Sequence, residues 1–354
     1  MRRPRGKRGF SFWVIAYSPR VGESSGMDWL IEGVLALFAV MFGFIPAQTT
    51  AYYAPTLAEP QSAVVIFGGD MMFDRTIGST IQEKGGDFIF SCIDPILRDS
   101  DLVVANLEGP ITASSSKSIG STVGAPDNFV FTFPTSTASL LFAHNIKLVN
   151  LGNNHILNFG IAGARATATY LSQAHVGYFG LPSEALAKEG DPIAYSVAKE
   201  KIKDVSLAFI NYNEFSSGGG SAFGGGVAST TVKQIQEARA AGEIPVVYAH
   251  WGIEYATSSS AYSRELAHAF IDAGAELVIG SHPHVVQERE FYRGKYIYYS
   301  LGNLIFDQYW NSDVTHGLMV NVDVDPTGVQ YVQEIPVELM RDRRTCPIEP
   351  SVSL

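Results

Sequence analysis

Short runs of apolar, mostly β-branched residues alternate along the chain with segments of helical spacing, and no other pattern restricts the fold as much. The runs that predict buried strands are 63–67, 102–107, 147–151, 205–210, 244–250, 276–280 and 295–301, and helical spacing occupies 135–145, 160–175, 230–242 and 260–273 between them. Such alternation is typical of a layered α/β fold. The segments 317–324 and 329–339 predict a closing hairpin with a turn over 325–328.

The charge is unevenly distributed between the N-terminus and the body of the chain. The first 22 residues carry six basic groups and no acid, which leaves 19 basic and 35 acidic residues, a net −16, in the remainder. An acidic body lacks the basic face that nucleic-acid binding requires, so no nucleic-acid partner is expected. The hydrophobic content of 46% indicates a folded protein rather than a disordered one.

An apolar run follows the basic N-terminal region in the order that export signals use. Residues 33–47 are uninterrupted by charge and Glu32 precedes them, which is short for a bilayer span and suits a signal or anchor. A cleaved signal, a retained anchor and a buried core helix are all compatible with this run, and Met27 is an alternative start. We therefore expect attachment to a membrane through this segment, or secretion, and an extracytoplasmic location in a bacterial-type cell envelope. The predicted division is a basic region at 1–28, a signal or anchor at 29–51, a linker at 52–62, one domain at 63–340 and a tail at 341–354.

Two features of the chain predict little chemistry. Cys92 and Cys346 do not form a CxxC motif, and Cys346 falls in the predicted tail, so two unpaired thiols are favoured over a disulfide. The glycine-rich segment 216–226 predicts a flexible spacer in preference to a lid.

Polar side chains follow the predicted strands at the point where each strand ends. The candidate metal ligands at these positions are Asp70, Glu108, Asn154, His250, His282 and His284. One such residue is usually a helix cap or a structural histidine, but ligands in open α/β sheets bind beyond the carboxyl ends of the strands, where these residues should meet. Oxygen and imidazole ligands without thiolate favour one or two divalent ions of Mn, Zn or Fe.

These residues lie in motifs that together resemble a known family. The motifs GGDMMFDR (68–75), ANLEGP (105–110), NLGNNHILNFG (150–160), AHWGIEY (249–255), DAGAELVIGSHPHVVQ (272–287) and YSLGNLIFDQ (299–308) resemble the CapA/PgsA family of capsule and poly-γ-glutamate biosynthesis proteins. The resemblance implies a calcineurin-like metallophosphatase fold, a β-sandwich flanked by helices. It assigns the six candidate ligands to the metal and His155 to proton donation. It places Arg75, Asn153, Asn158, Glu254, Tyr255, Asn303 and Gln308 around the substrate or behind the ligands.

The chain departs from the metallophosphatase pattern at three places. The first motif lacks the usual histidine and has Met72 there, and Glu108 stands where the superfamily has aspartate, both as in CapA-like proteins. Asn158 replaces the aspartate of the family pattern NNHxxDxG, and this change is expected to lower the basicity of His155.

Two functions follow from the resemblance. One is a metal-dependent hydrolase or transferase acting on a phosphoester or γ-glutamyl bond, with His155 as general acid. The other is a non-catalytic, membrane-anchored component that binds or guides the anionic polymer, and capsule ligase or export subunits are implied partners of either. A serine hydrolase is disfavoured, because Ser281 and His282 are adjacent on an extended segment and point to opposite faces.

Overall fold

The computed structural model describes residues 61–181, 197–215 and 228–348. The predicted basic region, the signal or anchor segment, most of the linker, the glycine-rich segment and the last six residues lie outside this part of the chain. Within it, no helix has both the length and the apolar character needed to cross a bilayer.

Fourteen strands and seven α-helices make up the described part of the chain. The strands are β1 Ala63–Met71, β2 Leu102–Leu107, β3 Ile146–Asn150, β4 Gly177–Phe179, β5 Ala198–Ile202, β6 Val205–Asn213, β7 Ile244–His250, β8 Leu277–Ser281, β9 Arg289–Tyr292, β10 Lys295–Tyr298, β11 Asn303–Ile305, β12 His316–Asp325, β13 Gly328–Leu339 and β14 Thr345–Pro347. The helices are α1 Arg75–Lys84, α2 Asp87–Phe90, α3 Asp94–Arg98, α4 Thr137–Ala143, α5 Gly160–Gln173, α6 Ala228–Ala240 and α7 Ala261–Ala273, with 3₁₀ turns at Pro126–Phe129 and Asp313–Thr315.

The strands form two mixed sheets. The first has the order β14-β13-β12-β1-β2-β3-β4, with β11 also pairing with β1, and the second has the order β5-β6-β7-β8-β10-β9. In the first sheet β1 to β4 are parallel out to one edge, and β12 to β14 are antiparallel towards the other. In the second sheet β6, β7, β8 and β10 are parallel, and the edge strands β5 and β9 are antiparallel to their neighbours. Helices between parallel strands are the connection that such sheets require.

Three apolar layers hold the two sheets and the helices together. Strand β1 shows the alternation, because Val65 and Phe67 pack between the sheets while Ile66 packs on the outer face of the first sheet. Helices α1 to α5 cover that outer face, and α6 and α7 cover the outer face of the second sheet. The result is a mixed α/β sandwich that fits the expected metallophosphatase-like fold.

The predicted strands and the closing hairpin are confirmed, with one exception in the run 295–301. There β10 ends at Tyr298, and the chain returns to the first sheet as β11. Gly302 permits the change of direction, since its φ is +66° and its carbonyl accepts a hydrogen bond from the Asp70 backbone N–H at 3.0 Å. The approach is so close that a Cβ on Gly69 would lie 1.9 Å from the Gly302 oxygen.

The favoured interpretation of the cysteines as unpaired thiols is wrong. Cys92 and Cys346 form a disulfide across 254 residues, with Cα atoms 4.8 Å apart. The reason is that part of the predicted tail joins the fold: β14 pairs with β13 and brings Cys346 beside the segment between α2 and α3.

Candidate metal centre

The candidate ligands lie together where parallel strands of both sheets end. Asp70 closes β1 and Glu108 follows β2 in the first sheet, while His250 closes β7 and His282 follows β8 in the second. Because β1 and β8 contact each other, the two sets of strand ends face one another. The position is the one that the polar strand ends predicted.

Two groups of potential ligands share one carboxylate. Asp70, Glu108 and His284 form the first group, and Glu108, His250 and His282 form the second; within each group the ligand atoms lie within 4.8 Å of one another and every residue is buried. Asn154 joins the second group, with its Oδ1 3.0 Å from His250 Nε2. A carboxylate common to two groups could serve a pair of adjacent metal ions.

Both ring nitrogens of His250 have hydrogen-bonding neighbours at the site. Ser281 Oγ donates its proton to the Ala249 carbonyl at 3.1 Å and can accept from His250 Nδ1 at 2.9 Å, while Asn106 Nδ2 lies 3.4 Å from the same nitrogen. With the proton on Nδ1, Nε2 presents a lone pair to the Asn154 oxygen at 3.0 Å and to Glu108 Oε1 at 4.0 Å. In that tautomer a cation would satisfy the three converging acceptors.

His284 is oriented in the same way by a different partner. Asn303 uses its amide N–H groups on the His284 and Val314 carbonyls and on Gln308, so its oxygen accepts from His284 Nδ1 at 3.0 Å. His284 Nε2 is left as an acceptor, 3.6 Å from Glu108 Oε1. Each histidine thus turns its lone pair towards the same carboxylate.

The donor set fits a divalent cation. Both carboxylate oxygens of Glu108 and His282 Nδ1 are buried without a hydrogen-bond partner. Burial, followed by the charge of Asp70, raises the pKa of Glu108 well above its usual value. Burial, with the neighbouring His284 and His155, lowers the pKa of His282 to about 2, so its ring is neutral and able to ligate.

The backbone that carries the histidine pair is strained. His282 and His284 have φ angles of +98° and +59°, a region that residues with a Cβ rarely adopt. Strain of this kind persists where surrounding structure enforces it, and here it directs both side chains to the site.

His155 lies beside the ligand groups, and its ring proton is on Nε2, the nitrogen that faces Glu108. Asn158 Nδ2 donates to the Phe129 carbonyl at 2.8 Å and lies 3.3 Å from His155 Nδ1, which therefore accepts. The proton is left on Nε2, 3.9 Å from Glu108 Oε1. Burial, followed by the charge of His284, lowers the pKa of His155 to about 4, and the hydrogen bond with Asn158 opposes this shift.

The structure separates the remaining predicted residues into two sets. Asn153 and Asn303 are fully buried and orient ligands, whereas Glu254 is exposed. Tyr255 is partly exposed at the edge of the site, and Gln308 Nε2 donates to its hydroxyl at 3.3 Å. Burial, followed by the charges of Glu254 and Glu108, raises the pKa of Tyr255 to about 12, so its hydroxyl remains protonated.

Arg75 lies between two aromatic rings that themselves contact site histidines. Its guanidinium carbon is 5.6 Å from the Phe131 and Phe306 ring centroids, and these rings contact His155 and His284 respectively. It forms a 2.6 Å ion pair with Asp307, while its buried Nε has no hydrogen-bond partner.

Sequence reasoning missed a network of asparagines beneath the ligands. Asn106 donates to Asp70 Oδ1 at 2.8 Å and accepts from Asn150 at 3.0 Å and Asn153 at 3.2 Å. Asn150 in turn accepts from Asn211 of the second sheet at 2.9 Å, so the network joins the two sheets. The available signal was an amide within otherwise apolar strands, where a buried polar group requires partners.

Two sheets packed face to face and flanked by helices fit a metallophosphatase-like fold, and the buried groups that share Glu108 at the strand ends could bind a metal. Residues 64–308 match the family described as bacterial capsule synthesis protein PGA_cap, and the chain belongs to that family.

Relatives with curated names agree with the family. The chain is 28% identical to the PGA biosynthesis protein CapA of Bacillus subtilis (strain 168), over 86% of this chain and 78% of that protein. It is 27% identical to the capsule biosynthesis protein CapA of Bacillus anthracis, over 86% and 75% respectively. Among solved structures, TT1561 of Thermus thermophilus matches 77% of this chain and 98% of its own, at 10% identity and a TM-score of 0.43, which is too low to establish a shared fold.

Proposed function

We propose that this CapA-like protein of capsule or poly-γ-glutamate biosynthesis is a metal-dependent hydrolase or transferase acting on a phosphoester or γ-glutamyl bond. The observation that carries the proposal is the convergence of buried carboxylate and imidazole groups on Glu108, whose two oxygens are buried without partners. Family membership supports the pathway, and the site supports the chemistry.

Each of the two ligand groups would hold one metal ion. Asp70, Glu108 and His284 would hold one ion, and Glu108, Asn154, His250 and His282 the other. When bound, Mn, Zn or Fe at such a site polarises a phosphoryl or acyl oxygen and generates hydroxide near neutral pH. Ser281 and Asn303 keep the imidazole lone pairs directed inward, which preorganises the site before substrate arrives.

His155 is the proton donor in this proposal. Its Nε2 bears the proton that Asn158 excludes from Nδ1, and it faces the ligand groups rather than the solvent. Uptake of a second proton by the ring together with the anionic substrate would let Nε2 pass a proton to the departing oxygen or nitrogen and return the ring to its neutral form, which avoids an unstable anionic leaving group.

Arg75 and Tyr255 would bind the substrate's anionic group. The Arg75 guanidinium lies between two rings that contact site histidines, and the protonated Tyr255 hydroxyl is a donor at the edge of the site. The charge of Arg75 already acts on Glu108 and is balanced by Asp307. One balanced cation suits recognition of a single scissile group better than it suits binding of a long anionic polymer, which supports catalysis over the polymer-guiding function.

The protein acts outside the cytoplasm in this proposal, anchored in the membrane or secreted. The basic and apolar N-terminal order supports export, and the disulfide supports an oxidising compartment. Capsule ligase and export subunits are the proposed partners. Full-length protein recovered only from the soluble cytoplasm would argue against export.

The first experiment measures bound metal by elemental analysis of the full chain. We expect about one to two ions of Mn, Zn or Fe per chain, lost in His282→Ala/His284→Ala. The matched control is His175→Ala/His268→Ala, which removes two histidines outside the ligand groups and should retain the metal. Equal occupancy in the wild type and the His282/His284 variant would refute the assignment of these ligands.

The second experiment separates catalysis from polymer guiding. The metal-loaded chain is assayed with bis(p-nitrophenyl) phosphate and with γ-glutamyl p-nitroanilide. His155→Ala should keep its metal and lose about 10²- to 10⁴-fold in turnover. Loss of metal in this variant would make His155 a ligand, and a metal-loaded wild type inert towards both substrates would favour the polymer-guiding function.

A further inference from the structure

An aromatic groove lies between the β9–β10 hairpin and the start of β13. It has a volume of about 350 Å³ and includes Phe291, Tyr296 and Tyr331, which we call the aromatic end. Phe291 is 63% exposed and Tyr331 is 58% exposed, and the Phe291 and Tyr296 rings are 4.9 Å apart. Grouped aromatic rings facing solvent indicate a contact surface rather than core packing.

The aromatic end lies opposite the metal centre. Strand β10 begins there, and β1, which runs from Ala63 towards Asp70, begins at the same end of the sandwich. Asp70 is seven positions beyond Ala63 along the strand, which corresponds to about 23 Å at roughly 3.3 Å per residue.

The chain also enters the domain at this end. Ala63 pairs with Val324, Val324 pairs with Val329, and Val329 lines the aromatic groove. The entry point is thus two strands away from the groove, or about 10 Å at the usual spacing of strands. The predicted apolar segment 29–51 precedes this entry point in the sequence.

The charges at the aromatic end do not favour an anionic partner. Lys295 pairs with Glu276 at 2.5 Å, Arg293 with Asp272 at 2.9 Å and Arg289 with Glu334, so all three cations of the hairpin are paired with carboxylates. Asp325, in the neighbouring β12–β13 turn, adds a negative charge. What the surface offers is one phenyl ring and two tyrosine rings, and tyrosine is a side chain that is enriched at the boundary between headgroups and acyl chains.

We propose that the aromatic end rests on the headgroup region of a zwitterionic bilayer and holds the metal centre facing away from it. The proposal rests on the proposed attachment to a membrane through residues 29–51. It deepens the proposed function, because the metal centre would then act on a substrate that approaches from the side facing away from the membrane and not from within the lipid layer.

The test uses the full chain in phosphatidylcholine vesicles with an environment-sensitive fluorophore on an introduced cysteine. Phe291→Cys and Tyr331→Cys probe the aromatic end, and Ile253→Cys, an equally exposed apolar position that follows β7 near the ligands, is the matched control. We expect blue-shifted emission and quenching by brominated lipid at 291 and 331, and neither at 253. Both effects should survive 1 M salt, where the Debye length is about 3 Å.

The outcomes distinguish the docking proposal from the two proposals on which it depends, membrane attachment and catalysis. Co-sedimentation with vesicles but identical, unquenched emission at 291, 331 and 253 overturns the docking of the aromatic end and leaves the anchor intact. Absence of co-sedimentation overturns both. Metal content, measured on each labelled variant, reports folding and tests the catalytic proposal separately, since no labelled position belongs to the ligand groups.

Discussion

Glu108 is completely buried, and its two carboxylate oxygens have no hydrogen-bond partner. Both features destabilise the folded protein when no metal is bound. Replacing it with glutamine removes a charge that the interior does not compensate. In EDTA at neutral pH we expect Glu108→Gln to raise the free energy of unfolding by about 1–3 kcal/mol, because an unpaired buried charge is destabilising. Chemical denaturation with matched metal analysis checks this prediction.

The same substitution should abolish metal binding, because Glu108 belongs to both ligand groups. In saturating metal the order of stability reverses, since the wild type gains binding free energy that the variant lacks. A variant less stable than the wild type in EDTA would show that Glu108 has partners in the metal-free state.

Asn106 supports the ligands without contacting the predicted metal positions directly. Asn106→Ala removes the donor to Asp70 and the acceptor for Asn150 and Asn153. We expect a loss of about 1–3 kcal/mol in stability for the orphaned groups and a roughly 10- to 100-fold weaker metal affinity, the effect of removing a residue that orients a ligand. Titration with metal and denaturant measures both.

Asn145 provides the matched control for this variant. It is also buried, and its amide donates to the Leu97 and Ser100 carbonyls at the far end of β3. Asn145→Ala should destabilise the protein while leaving metal affinity unchanged. If both variants weakened metal binding equally, the effect would be one of general stability and not of Asp70 orientation.

At the scale of elements, the strand ends were the predictable part of the site. The apolar runs placed Asp70, Glu108 and His250 at the correct edges, because burial and strand length are encoded locally. The β11 segment was not predictable in the same way. Its pairing beside Asp70 depends on Gly302 and Gly69 approaching across the sheet, which is a contact between residues far apart in sequence.

Glu276 ties together elements of both sheets. It precedes β8, is 2% exposed, and accepts from Arg239 of α6, Lys295 of β10 and the Val329 N–H of β13. Burial alone would raise its pKa, but the hydrogen bonds from Lys295, Val329 and Arg239 outweigh burial and lower it. A carboxylate of this kind stabilises the fold above its unfolded pKa, and that contribution is lost as the pH falls through the folded value.

Glu276→Gln should therefore be less stable than the wild type at pH 7, by about 3 kcal/mol for a broken buried pair. The difference should shrink as the pH is lowered below about 4.5, because the wild-type carboxyl then becomes protonated too. Unfolding free energies measured from pH 7 to pH 3 test this. A difference independent of pH would assign the effect to packing and not to the charge.

At the scale of the whole molecule, the order of the motifs predicted the family, and the alternation of strands and helices predicted the layered architecture. Contacts between residues far apart in the sequence were not predicted. Cys346 lies in a segment with no periodic pattern, and only the return of β14 along β13 brings it to Cys92. The asparagine network has the same origin, since Asn211 and Asn150 belong to different sheets. Contacts of this kind are set by the assembled fold and leave no local signal.

The disulfide closes a loop of 254 residues, and cross-links of long loops restrict the unfolded chain most. We expect Cys92→Ala/Cys346→Ala to lower the free energy of unfolding by about 2–5 kcal/mol and to retain its bound metal, because neither cysteine belongs to a ligand group. Reductant should destabilise the wild type to the level of this variant and leave the variant unchanged. A wild type whose stability is insensitive to reductant would show that the bond does not form in solution, and would remove the support it gives to an oxidising location.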